Sequence, residues 1–395
     1  MDRVILNTPC LPKRSYHAGN AISQIVTDIV YRYSKYLNKG KVFYVNHAWN
    51  VFGLVYENLA IEKYGTFEYE QTLALVNEEI QHAENEKRFF SEYDHDTSDF
   101  FTYIDSDPEF ITYCEAQIKK LDELGYLKKL EDEFCLNIEK YLNEDGVVRL
   151  GQMINRVLIN PEYQSKSIVS NLNELDKYYP LTKKRRFAMQ IRINGDDYAL
   201  NPIFQSLLMP AYICKIAGTK LPCYFQASSS GHSMLKWHFL RIILNDILFG
   251  EVPYSHLFLH GNILGLNGKP MSKHAGNAVQ PSELFRELKD KRFVRYMLIK
   301  SISFKDVLIQ IDLSKNEYLK IKTKLDQLEN GLRVKSTEKI VSLIEGGFKE
   351  LERMNFKLAL ENLYLVCRKA ELVDGLEGNE ELTKKFMALK NILLS

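Results

Sequence analysis

The amino-acid sequence predicts an α/β protein with a doubly wound parallel sheet, extended by an all-α C-terminal domain. Two observations carry this. Over residues 1–66 the order is strand, phosphate-type loop, helix, strand. Val4-Ile5-Leu6 is followed by a helix opening at Tyr16-His17-Ala18-Gly19-Asn20, with apolar Ile22, Ile25, Val26, Ile29 and Tyr33 on one face, and then by Val42-Phe43-Tyr44-Val45. That is the opening βαβ unit of a doubly wound sheet. Proline then ends at Pro281, the last of 11, and the chain beyond it carries apolar and charged residues at helical spacing.

Between these ends the elements follow in order. Residues 67–195 read as a mostly helical connective insertion. Its charged, aromatic-rich run from about Tyr69 to Leu142 shows little β alternation, and Asn143-Glu144-Asp145-Gly146 opens a linker-like stretch to about Pro161. Alternation returns near Phe187 to Ile193 and Leu221 to Phe225. Residues 196–300 form the second half of the core, with a helical period from Ser233 to Leu248 and a buried strand at Leu257-Phe258-Leu259. Residues 301–395 form the helical domain, where Ser314-Lys315-Asn316-Glu317 fits a capping box and Gly331 a C-terminal stop.

At 395 residues the chain exceeds what one core fills, so two or three structural units are expected. Hydrophobic residues make up 45% and charged residues 26%, the balance of a soluble globular protein. A formal net charge of +1 excludes a global basic field, so any RNA contact rests on local patches. Met1-Asp2-Arg3 and the short apolar run after it do not read as a signal sequence, and no run approaches a membrane span. The 6 cysteines are scattered without a C-x-x-C pair, which reads as reduced cytoplasmic thiols and not a zinc knuckle.

Two short segments carry the chemistry. Imidazole, Gly and amide at His17, Gly19 and Asn20 open a helix after a strand, where backbone N–H groups and the helix dipole attract anions. Gly268-Lys269-Pro270-Met271-Ser272-Lys273-His274 sets a Lys in a Gly-bearing loop, able to reach the same phosphates. By their residues alone, a His at a helix start is more often a cap or core residue than a catalyst, and a loop Lys is usually just solvated. These alternatives stay open at this level, and the residues support a nucleotide-binding α/β protein.

Together, in this order, the two segments resemble the HIGH and KMSKS signatures of class I aminoacyl-tRNA synthetases. The stretch Trp49-Asn50-Val51-Phe52-Gly53-Leu54-Val55-Tyr56-Glu57 is similar to the family's G-W-D-x-[FH]-G-L-P-x-E block in the leucyl, isoleucyl and valyl enzymes. The run from His260-Gly261 to Gly276-Asn277-Ala278-Val279-Gln280-Pro281 resembles its H-G-x-(x)n-G-x-K-M-S-K-S-x-G-N-x-[VI]-x-P segment. Weaker matches lie at Ser106-Asp107-Pro108-Glu109-Phe110, at Asn171 to Gln190, and at Gly231 to His238.

The resemblance implies a Rossmann-like core split by the insertion, with a leucyl/isoleucyl/valyl/methionyl kinship. ATP is held by His17, Gly19, Asn20, His260, Gly261, Met271, Ser272 and Lys273, and His17, Asn20 and Lys273 act in catalysis. The amino acid, by the same token hydrophobic, is held by Thr8, Pro9, Trp49, Asn50, Ser233 and His238. Four positions depart from the pattern. Asn20 stands for the second signature His, Asn50 for the Asp that pairs with the substrate ammonium, Ser233 for an acid, and Pro270 for the first Lys, with Lys269 beside it as a substitute. Asn50 reads either as a neutral selectivity device or as a structural neighbour of Trp49 with another carboxylate serving the ammonium. The implied reaction is carboxylate attack on ATP to give an aminoacyl adenylate, with Mg²⁺ on the phosphates and transfer to tRNA. Two alternatives accompany it: a paralogue charging a small molecule or carrier, and a weakened synthetase-like binding or regulatory protein. The editing domain inserted in the leucyl, isoleucyl and valyl enzymes is expected to be absent, because Arg192 leads almost directly into the second half-sheet.

Overall fold

A computed structural model describes residues 2–12, 16–38, 40–91, 99–160, 175–229, 232–265, 267–271, 276–374 and 378–395, with the backbone alone at 229 and 232–234. The strands are β1 (Arg3–Asn7), β2 (Val42–Trp49), β3 (Phe100–Ile104), β4 (Leu127–Leu130), β5 (Glu133–Asn137), β6 (Leu158–Asn160), β7 (Tyr178–Pro180), β8 (Gln190–Ile193), β9 (Asp196–Ala199), β10 (Cys223–Ser229), β11 (Tyr254–His260), β12 (Ile263–Leu264), β13 (Val307–Leu308), β14 (Arg333–Val334) and β15 (Leu372–Val373). The α-helices are α1 (Ala18–Tyr36), α2 (Leu54–Tyr64), α3 (Tyr69–Lys87), α4 (Pro108–Glu123), α5 (Glu144–Asn155), α6 (Pro202–Ile216), α7 (His232–Phe249), α8 (Pro281–Leu288), α9 (Lys291–Lys300), α10 (Ile311–Glu329), α11 (Glu338–Glu352), α12 (Phe356–Lys369) and α13 (Glu380–Leu394). They fall into two compact units: Met1–Arg14 with Gly40–Ala83 and Asp96–Leu259, and Ser15–Lys39 with Glu84–His95 and His260–Ser395.

The first unit is built on a six-stranded parallel sheet in the order β3-β2-β1-β10-β11-β6. The predicted β1/β2 pair is parallel, with Val4 opposite Phe43, and β1 pairs β10 with Ile5 opposite Phe225. Val4, Ile5 and Leu6 are buried on both faces, which is why this strand reads as a continuous apolar run and not as alternation. The strand order reverses between β1 and β10, and such a switch point opens a ligand crevice at the carboxyl ends of the strands.

The run from Tyr69 to Leu142 departs from the helical expectation. Its Phe100-Phe101-Thr102-Tyr103-Ile104 segment is β3 and adds to the sheet beside β2, with Ala48 opposite Tyr103. Aromatic and β-branched residues suit a pleated surface, and that preference outweighs the helical look of the flanks. Further on, β4 and β5 form an antiparallel hairpin, extended by β7. The linker-like stretch is likewise structured. Asn143 is the N-cap of α5, accepting the Gly146 N–H at 2.8 Å, and β6 follows as an edge strand paired with β11. Asn, Glu and Asp, read as linker composition, are here a cap and an acidic first turn.

Among the described residues the second unit is helical, as expected of the C-terminal region, apart from the short β12/β13 and β14/β15 pairs. Gly331, at φ 101°, follows the last turn of α10 as predicted. Ser314 does not cap that helix. It lies inside α10, which begins three residues earlier after Gln310, without a side-chain cap. At the centre of this unit Arg295 of α9 is fully buried against Asp28 of α1, 2.5 Å away. It also donates to the carbonyls of Leu393 at 2.9 Å and Phe90 at 3.1 Å. All six cysteines are free thiols, and among the described residues no helix is long and apolar enough to cross a membrane.

Candidate active site

In the second unit His17 is the N-cap of α1. Its Nδ1 accepts the Gly19 N–H at 3.1 Å, and the Asn20 Oδ1 accepts the His17 N–H at 3.2 Å, a reciprocal capping box. The Ala18 N–H donates to the Val279 carbonyl at 2.8 Å. The first-turn N–H groups that the sequence reading offers to phosphates are therefore already engaged. What remains for an anion is side-chain donors. With Nδ1 accepting, the His17 proton sits on Nε2, and burial lowers the imidazole to about 4, so it is a neutral donor at physiological pH. Asn20 keeps its amide N–H₂ as a donor. A Cβ on Gly19 would approach the His17 ring to 2.9 Å, so a side chain there would push the imidazole out of its cap.

The other signature reaches the same place. His260, at the end of β11, is buried. Its Nε2 lies 2.6 Å from the Ser23 Oγ of α1, and its Nδ1 donates to the Gly261 carbonyl at 2.9 Å. Both ring nitrogens are thus spent inside the fold, and burial lowers its pKa to about 4. Gly261 packs on the backbone of Lys305, where a Cβ would sit 2.5 Å from its carbonyl carbon. Beyond β12 the chain turns tightly. The Gly268 N–H donates to the Gly265 carbonyl and the Gly265 N–H to the Lys269 carbonyl, both at 2.9 Å, with Gly268 at φ 71°. Asn277 clamps this turn through its amide, bonding the Asn267 Oδ1 at 2.7 Å and the Pro270 carbonyl at 3.1 Å. Lys269 is exposed and Met271 half-buried. Ser272 and Lys273 lie outside the described residues, between these two anchors. A cavity of about 470 Å³, lined by Asn267, Asn277, Val279, Glu283, Leu284 and Ile311, adjoins the turn.

In the first unit the carboxyl ends of β1 and β2 carry Thr8, Pro9, Trp49 and Asn50. The Thr8 N–H and hydroxyl both donate to the Ala227 carbonyl, at 3.1 and 3.0 Å. Pro9 is buried, and its carbonyl lies 3.5 Å from the Asn50 amide nitrogen. Trp49 is fully buried, and the Asn50 N–H donates to the Cys10 carbonyl at 2.9 Å. His238 is a buried imidazole on α7, its Nδ1 2.6 Å from the Tyr254 hydroxyl. Burial holds it well below the usual histidine range. The Ser233 side chain lies outside the described residues.

Similarity to known proteins agrees with this geometry. Residues 221–310 match the family model of class I tRNA synthetases (I, L, M and V). A chloroplastic/mitochondrial valine–tRNA ligase of Arabidopsis thaliana is 37% identical over 108 residues, 26% of this chain and 11% of that protein. An isoleucine–tRNA ligase of Methanocorpusculum labreanum is 28% identical over 83 residues, 21% of this chain and 8% of that protein. The match thus spans about a tenth of these relatives' lengths. Among solved structures, Mycobacterium tuberculosis methionyl-tRNA synthetase bound by methionyl-adenylate superposes with a TM-score of 0.74 at 13% identity, covering 100% of this chain and 92% of that one. Residues 221–310 thus resemble the class I tRNA synthetases, and the chain as a whole shares the fold of one of them.

Within that fold, one buried acid escaped the sequence reading. Asp105, directly after β3, is fully buried. Its Oδ1 accepts the Val51 N–H at 2.8 Å, its Oδ2 has no partner, and desolvation raises its pKa to about 8. The Asn50 Oδ1 beside Val51 is likewise buried and without a partner. Glu57 accepts the N–H groups of Arg186 and Phe187 at 3.2 and 3.1 Å, and Phe187 sits among Phe52, Tyr56, Phe67 and Tyr69. Glu57 was legible as the acid that ends the Trp49 to Glu57 block, but its clamp on Arg186 and Phe187 was not. Asp105 carried no signal, because its burial is not written in the local pattern.

Proposed function

We propose that this chain activates an α-amino acid with ATP. The substrate carboxylate attacks the α-phosphorus, the bond to the bridging oxygen breaks, and pyrophosphate leaves with an aminoacyl adenylate formed. The observation that carries this reading is the meeting of the two signature segments inside the second unit. The Ala18 N–H bonds the Val279 carbonyl at 2.8 Å, and Ser23 bonds His260 at 2.6 Å. Segments far apart in sequence thereby face the same helix start, an arrangement that suits one nucleotide. His17 Nε2–H and the Asn20 amide donate to phosphate oxygens, and Lys273 supplies the cation that follows the departing pyrophosphate. In the first unit, the two acceptors without partners, Asn50 Oδ1 and Asp105 Oδ2, suit the substrate ammonium, with Asp105 giving up its proton to make the pair. Among the described residues no group of three or more His, Cys, Asp or Glu is placed to hold a metal ion. Mg²⁺ enters this reading only as the counter-ion expected on the ATP phosphates, and no step here runs through it. The acceptor of the activated acyl group is tRNA by likeness to the relatives, with a small molecule or carrier as the alternative.

Amino-acid-dependent ATP–pyrophosphate exchange over a broad panel tests this. Lys273→Ala is expected to slow exchange by roughly 10²–10³-fold, the usual loss for one transition-state donor. Exchange at an unchanged rate in the variant would remove Lys273 from the reaction. The saturated first turn of α1 favours a second reading, a synthetase-like binding protein, and for that protein no amino acid would support exchange.

A further inference from the structure

The first unit buries a guanidinium with no carboxylate paired to it among the described residues. Arg241 lies on α7 one turn beyond His238 and is 3% exposed. Its Nη2 donates to the Ser206 carbonyl of α6 at 3.0 Å, it hydrogen-bonds the Tyr254 hydroxyl of β11, and its Nε has no partner. Other buried donors beside it also lack acceptors. The Gln205 amide, next to Ser206, makes no hydrogen bond through either atom, and neither does the Tyr103 hydroxyl of β3, which lies within electrostatic reach of Arg241. His238 is held neutral by burial and supplies no counter-charge. Buried polar groups in folded proteins are satisfied, and a buried charge left unpaired is strongly unfavourable. Three buried donor groups on β3, α6 and α7 and one uncompensated positive charge thus lack an acceptor, which an anionic group reaching Arg241 would supply.

We propose that Arg241, Tyr103 and Gln205 form a binding site for a carboxylate, the side chain of a dicarboxylic amino-acid substrate such as glutamate or aspartate. The assignment rests on the amino-acid-activation reading and departs from the expectation of a hydrophobic substrate. The placement favours a substrate group over a free anion. Tyr103 of β3 stands two residues before Asp105, and Arg241 follows His238 on the helix that resembles the family's amino-acid-binding helix. An amino acid with its ammonium at Asn50 and Asp105 would then meet a cation for its side chain. Arginine suits this role because its planar fork matches a carboxylate in two hydrogen bonds.

Calorimetric titration of the full chain with L-glutamate, L-aspartate, L-leucine, L-methionine and sodium acetate tests the site, alongside thermal melting and pyrophosphate exchange. One of the two acids is expected to bind at least tenfold more tightly than leucine or methionine, and Arg241→Met to abolish that preference. Removing an unpaired buried charge should leave the fold intact. Should that variant not fold, Arg241→Lys keeps the charge but loses the fork, and is expected to weaken the acid at least tenfold. Leucine or methionine binding as tightly as both acids overturns the proposal. Exchange with leucine but with neither acid also overturns it while leaving amino-acid activation standing. Acetate reproducing the acids' Arg241-dependent melting shift, without exchange, upholds the carboxylate site and assigns it to a free anion. If no amino acid supports exchange, the activation reading falls, and the melting shift still decides the site: its presence upholds it and its absence overturns it.

Discussion

Asp105 shows how much of a site depends on burial. A carboxyl near 3.8 in water is raised to about 8 here because desolvation outweighs the Val51 N–H bond. The folded state therefore holds the proton more tightly than the unfolded chain does. The stability this contributes is full below the unfolded value, near 4, and is lost as pH rises to about 8. Tyr56, Tyr103 and Cys114 face the same carboxyl, and burial raises all three, so none titrates in that window. Asp105→Asn keeps an oxygen for the Val51 N–H but carries no titration. Urea unfolding at pH 5 and pH 8 is expected to show wild type losing ground to the variant at the higher pH. A difference independent of pH would mean that Asp105 stays ionised in the fold. Nothing around Ile104-Asp105-Ser106-Asp107 announces this. The pattern points to Asp107, which does cap α4 by accepting the Glu109 N–H at 2.9 Å, and only the pairing of β3 beside β2 seals Asp105. His17, by contrast, was legible because a cap and a signature both draw the eye to a helix start. Its spent Nδ1 was not, since tautomers depend on a neighbour's hydrogen bond.

Elements were legible where one periodicity dominated and obscured where tertiary pairing decided. Helix α1 follows from its apolar spacing, yet the same helix buries Asp28, a charge that the spacing places without explaining. The explanation comes from α9, far along the chain. Arg295 joins Asp28 to the carbonyls of Phe90 and Leu393, while Arg32 holds the same carboxylate at 3.0 Å. Removing one partner of a buried pair leaves the other uncompensated, a loss of about 3–5 kcal/mol. Arg295→Met is expected to lower unfolding free energy by that amount, measured by denaturant titration. A loss below about 1 kcal/mol would show that Arg32 alone neutralises Asp28. Strands β3 and β6 went unread for the complementary reason. Each is short and stabilised by a neighbour distant in sequence, Trp49 for β3 and Phe258 for β6, so no local window contains its partner.

At the scale of the molecule, the connection between β8 and α6 decides a chemical capability. In the leucyl, isoleucyl and valyl synthetases a large editing domain interrupts the core, and the sequence from Arg192 onward leaves no room for one. The structure closes that connection with a hairpin. β8 and β9 pair antiparallel with Ile193 opposite Asp196, and Asn194 and Gly195 take the turn with φ 55° and 93°, the conformation that a tight two-residue hairpin requires. The Leu200 N–H then returns to the Met189 carbonyl at 2.8 Å, and Asn201 caps α6 by accepting the Ile203 N–H at 3.2 Å. Every residue of this connection is thus committed to strand, turn or cap, and none is left to enclose a second hydrolytic pocket. On the proposed activation reading, discrimination among substrates rests on the first binding event. A pocket that reads a substrate by hydrogen bonds and charge reaches far higher selectivity than one sensing a methylene, which is worth only about 1–3 kcal/mol. The purified chain is expected to leave a panel of mischarged tRNAs intact, their ester bonds decaying at the rate seen in buffer. Enzyme-dependent release of the amino acid would place a hydrolytic site elsewhere in the chain and break the link between this short hairpin and the absence of editing.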